Sequence, residues 1–288
     1  MIRHHFARTA LAVALAAAAG SASAFDFGLH VEDQLDAHSM QLFGIVEPLI
    51  ESAPPTTGAY RTAAQAASAQ VLLAKGLKVE YLTRSAANAV DMFSFWPSDA
   101  APTHLIACIE GGRSQLTGDA DTSAYAPGDK FNPSVQRIDL ATGAVETILR
   151  GMTACDGIRT TPWGTVLATE ETDDGGAYEI LDPLAITNYT VKDRATGEIV
   201  DAAGATVTTA IAKRTALPTI AWEGLDITHD GVVYAGDEER PGSTADGGGS
   251  TNDRDGGAIF KFVPSVAWTG AAVINLAQSP LVAGSVYA

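Results

Sequence analysis

Cys155 and the pair Glu170-Glu171 stand at the two ends of one short β-unit. Between them the chain reads Thr161-Pro-Trp-Gly164, a turn, then residues 165–169, a short β-prone run. A thiol and two carboxylates brought together in this way would mix a soft ligand with hard ones. That mixture suits a transition metal with a harder neighbour, such as iron beside calcium. Further carboxylates fall at other predicted strand ends: Glu110, Glu223, and the run Asp237-Glu238-Glu239. Acidic residues are also common at strand ends as solvated turn formers, so position alone leaves both readings open.

The chain holds two cysteines, Cys108 and Cys155. Cys108 lies in the apolar run Leu105-Ile-Ala-Cys-Ile109, a core strand position, whereas Cys155 lies among Thr, Ala, Asp and Gly, as in a loop. Three readings follow from composition: a disulfide between them, an inert buried thiol at Cys108, or a reactive or ligating Cys155.

The elements that must position these groups are mostly strands. Residues 25–78 read as a lead-in, with apolar residues at roughly helical spacing over 41–51 and 61–78 and a Pro-rich break between. From residue 79 onward the pattern is strand and turn. Strands are expected at 79–83, 88–96, 103–110, 136–140, 144–149, 177–181, 206–214, 258–263 and 271–276. Hairpins are expected around Ala141-Thr-Gly143, Arg194-Ala-Thr-Gly197 and His229-Asp-Gly231. Many short strands with frequent turns indicate an all-β sandwich, barrel or propeller. The turns are unevenly spaced, and no clean repeat emerges.

The 288 residues carry a net charge of −16, which excludes nucleic acid and anionic membrane surfaces as partners. The start reads as a secretory signal peptide over residues 1–24: basic Arg3 and Arg8, an apolar run over 10–19, then Ser21-Ala-Ser-Ala24 as the cleavage site. The mature chain is therefore expected in a periplasm or outside the cell, with no integral membrane segment. The sequence has no Gly-x-Ser-x-Gly elbow, no His-Glu-x-x-His helix and no Gly-Lys-Ser/Thr phosphate loop. The Gly-rich run over 242–257 contains Asn252-Asp-Arg-Asp-Gly256, but its glycine is misplaced for an EF-hand and no Glu closes it. His104 and His229 read as structural.

The stretch Cys-Asp-Gly-Ile-Arg-Thr-Thr-Pro-Trp-Gly-Thr-Val-Leu-Ala-Thr-Glu-Glu over 155–171 resembles a signature of the PhoX-type alkaline phosphatases, once called domain of unknown function 839. Residues 82–112 and 222–239, followed by Gly-Gly-Ala-Ile-Phe-Lys-Phe-Val-Pro, are similar to two further regions of that family. The resemblance implies a β-propeller with long insertions over 79–288, whose strand ends converge on a central axis. It implies a metal-dependent phosphatase of phosphate monoesters, with Fe3+ and Ca2+ as cofactors; a monomer acting on a small phosphate ester is expected. Cys155 would be an iron ligand; Glu170 or Glu171, Glu223, and Asp237 or Glu238 would bind iron or calcium. The sequence departs from the family before Glu223, where Leu217-Pro-Thr-Ile-Ala-Trp holds neither the usual Arg nor the usual His. Arg159, Arg240 and Lys261 are the candidate cations for phosphoryl oxygens. Because a propeller must close and the chain stops at Ala288, a short or truncated family member is expected. The rival readings are a non-catalytic calcium-binding propeller and a calcium-dependent lactonase-like hydrolase, which would not need Cys155.

Overall fold

A computed structural model describes residues 26–52, 65–113, 131–238 and 257–288. The signal-peptide region and Arg240 lie outside the described residues. The chain divides into two compact units, between Tyr81 and Leu82.

Among the described residues of the first unit there is one α-helix, α1 (Phe27–Phe43). Asp26 caps it by accepting from the Leu29 N–H, and Gly44 ends it with a left-handed φ of 73° and a bond to the Met40 carbonyl. None of its residues is buried. The helix thus lies upstream of the expected one over 41–51. In the Ala-rich stretch, the described residues form only a short 3-10 turn, Ala67–Ala69. Alanine spacing signals helix propensity, but without a stripe of larger apolar residues there is little packing to hold one.

The second unit is mostly β, in three sheets. The first is a seven-stranded sheet of order β1-β2-β3-β4-β8-β9-β10, and the other two, β11-β7-β6-β5 and β12-β13-β14-β15, are four-stranded. Each begins with an antiparallel hairpin: β1 (Val90–Trp96) with β2 (His104–Ile109), β5 (Cys155–Thr160) with β6 (Val166–Glu170), and β12 (Trp222–Ile227) with β13 (Val233–Asp237). The remaining strands are β3 (Pro133–Asp139), β4 (Val145–Arg150), β7 (Ala177–Ile180), β8 (Tyr189–Asp193), β9 (Glu198–Val200), β10 (Thr206–Val207), β11 (Ile211–Lys213), β14 (Ile259–Pro264) and β15 (Gly284–Tyr287). The hairpin β8–β9 is inserted into the second sheet's run of chain, yet joins the first sheet through a parallel pairing of β4 with β8.

The first strands of the three sheets, β1, β5 and β12, lie side by side, with β5 in the middle. One apolar core, including Ile106, Val135, Ile148 and Val191, fills the space around β5; a second, around Trp163, Trp222, Leu225 and Phe262, fills the space between the second and third sheets. Gly157 marks how tightly β5 meets β12. A Cβ there would lie 2.6 Å from Thr169 Oγ1, 2.7 Å from the Glu223 carbonyl and 2.8 Å from Leu225 Cδ2. Gly157→Ala is therefore expected to lower stability by about 1–3 kcal/mol through overpacking, read as a shift of the urea midpoint at unchanged slope.

Candidate metal centre

The three leading hairpins share one design. In β5–β6 the register runs Cys155↔Glu170 and then Ile158↔Ala168, so three steps on one strand face two on the other. The same slip occurs at Trp222↔Asp237 and Leu225↔Ala235, and again at Val90↔Ile109 and Phe93↔Ala107. Each is a one-residue bulge, a device that bends a strand and re-aims a side chain. A carboxylate follows the first residue of every bulge: Asp91, Asp156 and Glu223. A second follows the partner strand: Glu110, Glu171 and Glu238. The backbone closes each hairpin alike, with N–H groups of Glu110, Glu171 and Glu238 donating to the carbonyls of Ala89, Ala154 and Ala221.

Adjacency of the first strands brings these pairs together. Carboxylate oxygens of Asp156, Glu171 and Glu223 all lie within 4.8 Å of one another. Asp156 is only 2% exposed, Glu171 is half-buried and Glu223 is exposed. Burial pushes the Asp156 carboxyl up to about 7, helped by the charges of Asp91, Glu223 and Glu110. A hydrogen bond shared with Glu238 pushes Glu171 up to about 8, followed by burial and the charges of Glu238, Glu110 and Asp156. All six repeated carboxylates thus act on one centre. Such crowding can be relieved either by protons or by a cation.

The adjacent acidic pairs are divided by strand alternation. Glu170 is fully buried and turned away from the centre; it accepts from the N–H groups of Thr153 (2.8 Å) and Gly176 (3.0 Å) and pairs with Arg194 at 2.7 Å. Asp237, its counterpart, accepts from the Ala221 N–H at 3.1 Å. Glu171 and Glu238 are the members that face the carboxylate centre.

Of the readings open for Cys155, the structure has the disulfide. The Cys155 sulfur is bonded to that of Cys108, and the side chain is completely buried in the apolar core. A disulfide sulfur offers no thiolate, so the soft half of the expected donor set is absent from this state. Of the expected phosphate-binding cations, Arg159 and Lys261 stand away from the centre. Arg159 is three residues beyond Asp156 on β5, about 10 Å along a strand. It lines a cleft of about 720 Å³ with Ser94, Thr161 and Asp226, at the opposite ends of the leading strands. Lys261 sits on β14, the third strand of its sheet, with Nζ over the Tyr234 ring. Arg240 is outside the described residues.

Asp156 and Asp91 were missed by sequence reasoning: Asp156-Gly157 reads locally as a turn, and Asp91 is a single acid inside the mostly apolar run 88–96. A signal was present. Residues 155–171 align without a gap on 222–238, with Gly157/Gly224, Thr161/Thr228, Gly164/Gly231, Val166/Val233, Ala168/Ala235 and Glu171/Glu238 identical. Uneven turn spacing hid this repeat, since the β8–β9 insertion separates the copies. No family model matches the chain, nor does any curated protein.

Proposed function

We propose that the chain is an exported hydrolase of phosphate monoesters, built as a β-propeller and dependent on a divalent cation held by Asp156, Glu171 and Glu223. The observation that carries this reading is the meeting of those three carboxylates, from two sheets, within 4.8 Å. Three sheets whose first strands lie side by side agree with blades around an axis. The disulfide is consistent with an oxidising compartment, and among the described residues no helix is long and apolar enough to cross a membrane.

An iron–thiolate site does not fit, because the Cys155 sulfur is consumed. An all-oxygen set from Asp156, Glu171 and Glu223, with Glu238 and Glu110 beside it, fits a hard cation such as calcium. When bound, such a cation supplies Lewis-acid polarisation of a phosphoryl oxygen. The chain's own part is to hold the three carboxylates together, and to hold a proton between Glu171 and Glu238 when no cation is there.

A second reading, a calcium-binding module without catalysis, is favoured by the placement of Arg159 and Lys261 away from the centre. Metal content by mass spectrometry, with p-nitrophenyl phosphate hydrolysis on the same sample, separates the two. Calcium together with turnover that falls by at least about 100-fold in Asp156→Asn supports the phosphatase. Calcium without turnover supports the binding module. Absence of any bound metal removes both.

A further inference from the structure

The misfit between an iron–thiolate site and the Cys108–Cys155 bond carries an inference of its own. We propose that the two cysteines are positioning residues for an all-oxygen cation centre: the disulfide pins the start of β5 to β2 and so sets Asp156 where Glu171 and Glu223 meet it. This rests on reading those three carboxylates as the cation site.

Four observations lead there. First, Cys155 and Asp156 are neighbours at the β5 bulge, with Cys155 packed into the apolar core and Asp156 at the carboxylate centre. Second, the position of Cys155 is filled by Val90 and Trp222 in the other two hairpins, so it is an apolar position in all three. A ligand role would make one hairpin an exception to the design that the three share. Third, the bond joins two sheets: Cys108 belongs to β2 of the seven-stranded sheet and Cys155 to β5 of the next. It crosses the boundary beside the bulge that presents Asp156. Fourth, Asp156 lacks the anchoring that other buried acids here have. Glu170 and Glu179 are each held by several N–H or O–H donors. The side-chain partner of Asp156 is Glu223, another carboxylate. Its placement in the metal-free protein therefore depends on the backbone at residues 155–157, which the disulfide holds.

The consequence is a preference. With the sulfur bonded away, every donor at the centre is a carboxylate oxygen, which favours calcium-class cations over thiophilic ones such as zinc.

The test uses the full chain expressed for export, with Cys108→Ser and Cys155→Ser made singly and their folding checked by circular dichroism. Thiols are counted after denaturation without reductant, and calcium and zinc are titrated calorimetrically. The expected result is no thiol in the wild type, and a loss of calcium affinity that is the same for both variants. Its size should be about 10- to 100-fold, as for other groups that orient metal ligands. Should neither serine variant fold, wild-type protein titrated before and after reduction answers the same question; affinity must fall on reduction and return on reoxidation. Two outcomes overturn the proposal. In one, Cys155→Ser loses metal while Cys108→Ser keeps it, as a thiolate ligand requires. In the other, both variants and the reduced wild type bind calcium as tightly as the native protein. Failure of the underlying cation reading looks different: the wild type itself takes up no calcium, and Asp156→Asn changes nothing.

Discussion

At pH 8 a saturating excess of calcium raises the melting temperature by about 5–10 °C, and at pH 5 by much less. The size follows from linkage: a ligand at 100 times its Kd contributes about 2.7 kcal/mol, and a domain of this length gains about 2–4 °C per kcal/mol. The pH dependence follows from Asp156 and Glu171, whose folded values are pushed up to about 7 and about 8. In the unfolded chain both ionise near the ordinary carboxylate value of about 4. Below that value both states are protonated and these two groups cost the metal-free fold nothing. As pH rises from about 4 towards 8, the unfolded chain gives up these protons first, so the fold loses stability until it too has ionised. A cation needs the ionised carboxylates, so its affinity rises over the same interval as the metal-free fold weakens. Thermal melts with chelator and with calcium at pH 5, 6, 7 and 8 check this. Asp156→Asn supplies the control: without calcium it melts higher than the wild type at pH 8, and calcium no longer moves it. Equal calcium shifts at pH 5 and pH 8 would sink the argument.

Hairpins closed by local chemistry were legible. At the β3–β4 turn, Asp139 accepts from the N–H groups of Ala141 and Thr142, and Gly143 takes a φ of 70°, all within five residues. The β12–β13 turn is similar: Thr228 Oγ1 accepts from the Val232 N–H and Gly231 takes a φ of 92°. What depended on distant partners was not legible. The single alternating run over 206–214 splits into β10 and β11, which belong to different sheets. Residues 271–275 are apolar enough for a strand but join none of the three sheets; Val273 donates its N–H to the Trp163 carbonyl, and a 3-10 turn, Leu276–Gln278, follows. β5 was missed because its bulge breaks the two-residue alternation over Cys155 to Ile158.

The site was half-legible for a related reason. Sequence places Glu170 and Glu171 side by side, and nothing in their identities says which one turns inward. Successive side chains of a strand point to opposite faces, so one of each pair must face the core and needs partners there. Glu170 finds Arg194, which arrives on the β8–β9 insertion. Arg113, near it, is tied to the carbonyls of Gly151, Val191 and Lys192. The arginines of this region thus hold the insertion and the buried acid in place. Their roles became readable only once the parallel β4–β8 pairing was known.

Glu179→Ala is expected to be the most damaging single change to the fold: a loss of about 3–5 kcal/mol, the cost of leaving one member of a buried ion pair without its partner. Glu179 on β7 is fully buried, and both of its carboxylate oxygens accept hydrogen bonds. Oε1 accepts from Trp163 Nε1 at 2.7 Å, Thr165 Oγ1 at 2.6 Å and Ser279 Oγ at 3.0 Å. Oε2 accepts from Arg214 Nε at 2.5 Å. Arg214 in turn donates to the Leu276 carbonyl. One carboxylate therefore joins the β5–β6 turn, β7, the end of β11 and the chain near its C-terminus. Removing it strands a buried guanidinium together with an indole N–H and two hydroxyls. At about 2–4 °C per kcal/mol, the melting temperature should fall by about 6–20 °C. Replacing Glu179 and Arg214 together by Leu and Met should cost clearly less than the two single losses combined, because no charge is then left behind. This network sits at the turn end of the β5–β6 hairpin, whereas Asp156 and Glu171 sit at its open end. Below its melting temperature the Glu179→Ala protein should therefore keep its calcium affinity. Loss of affinity in step with stability would show instead that the two ends of the hairpin behave as one cooperative unit.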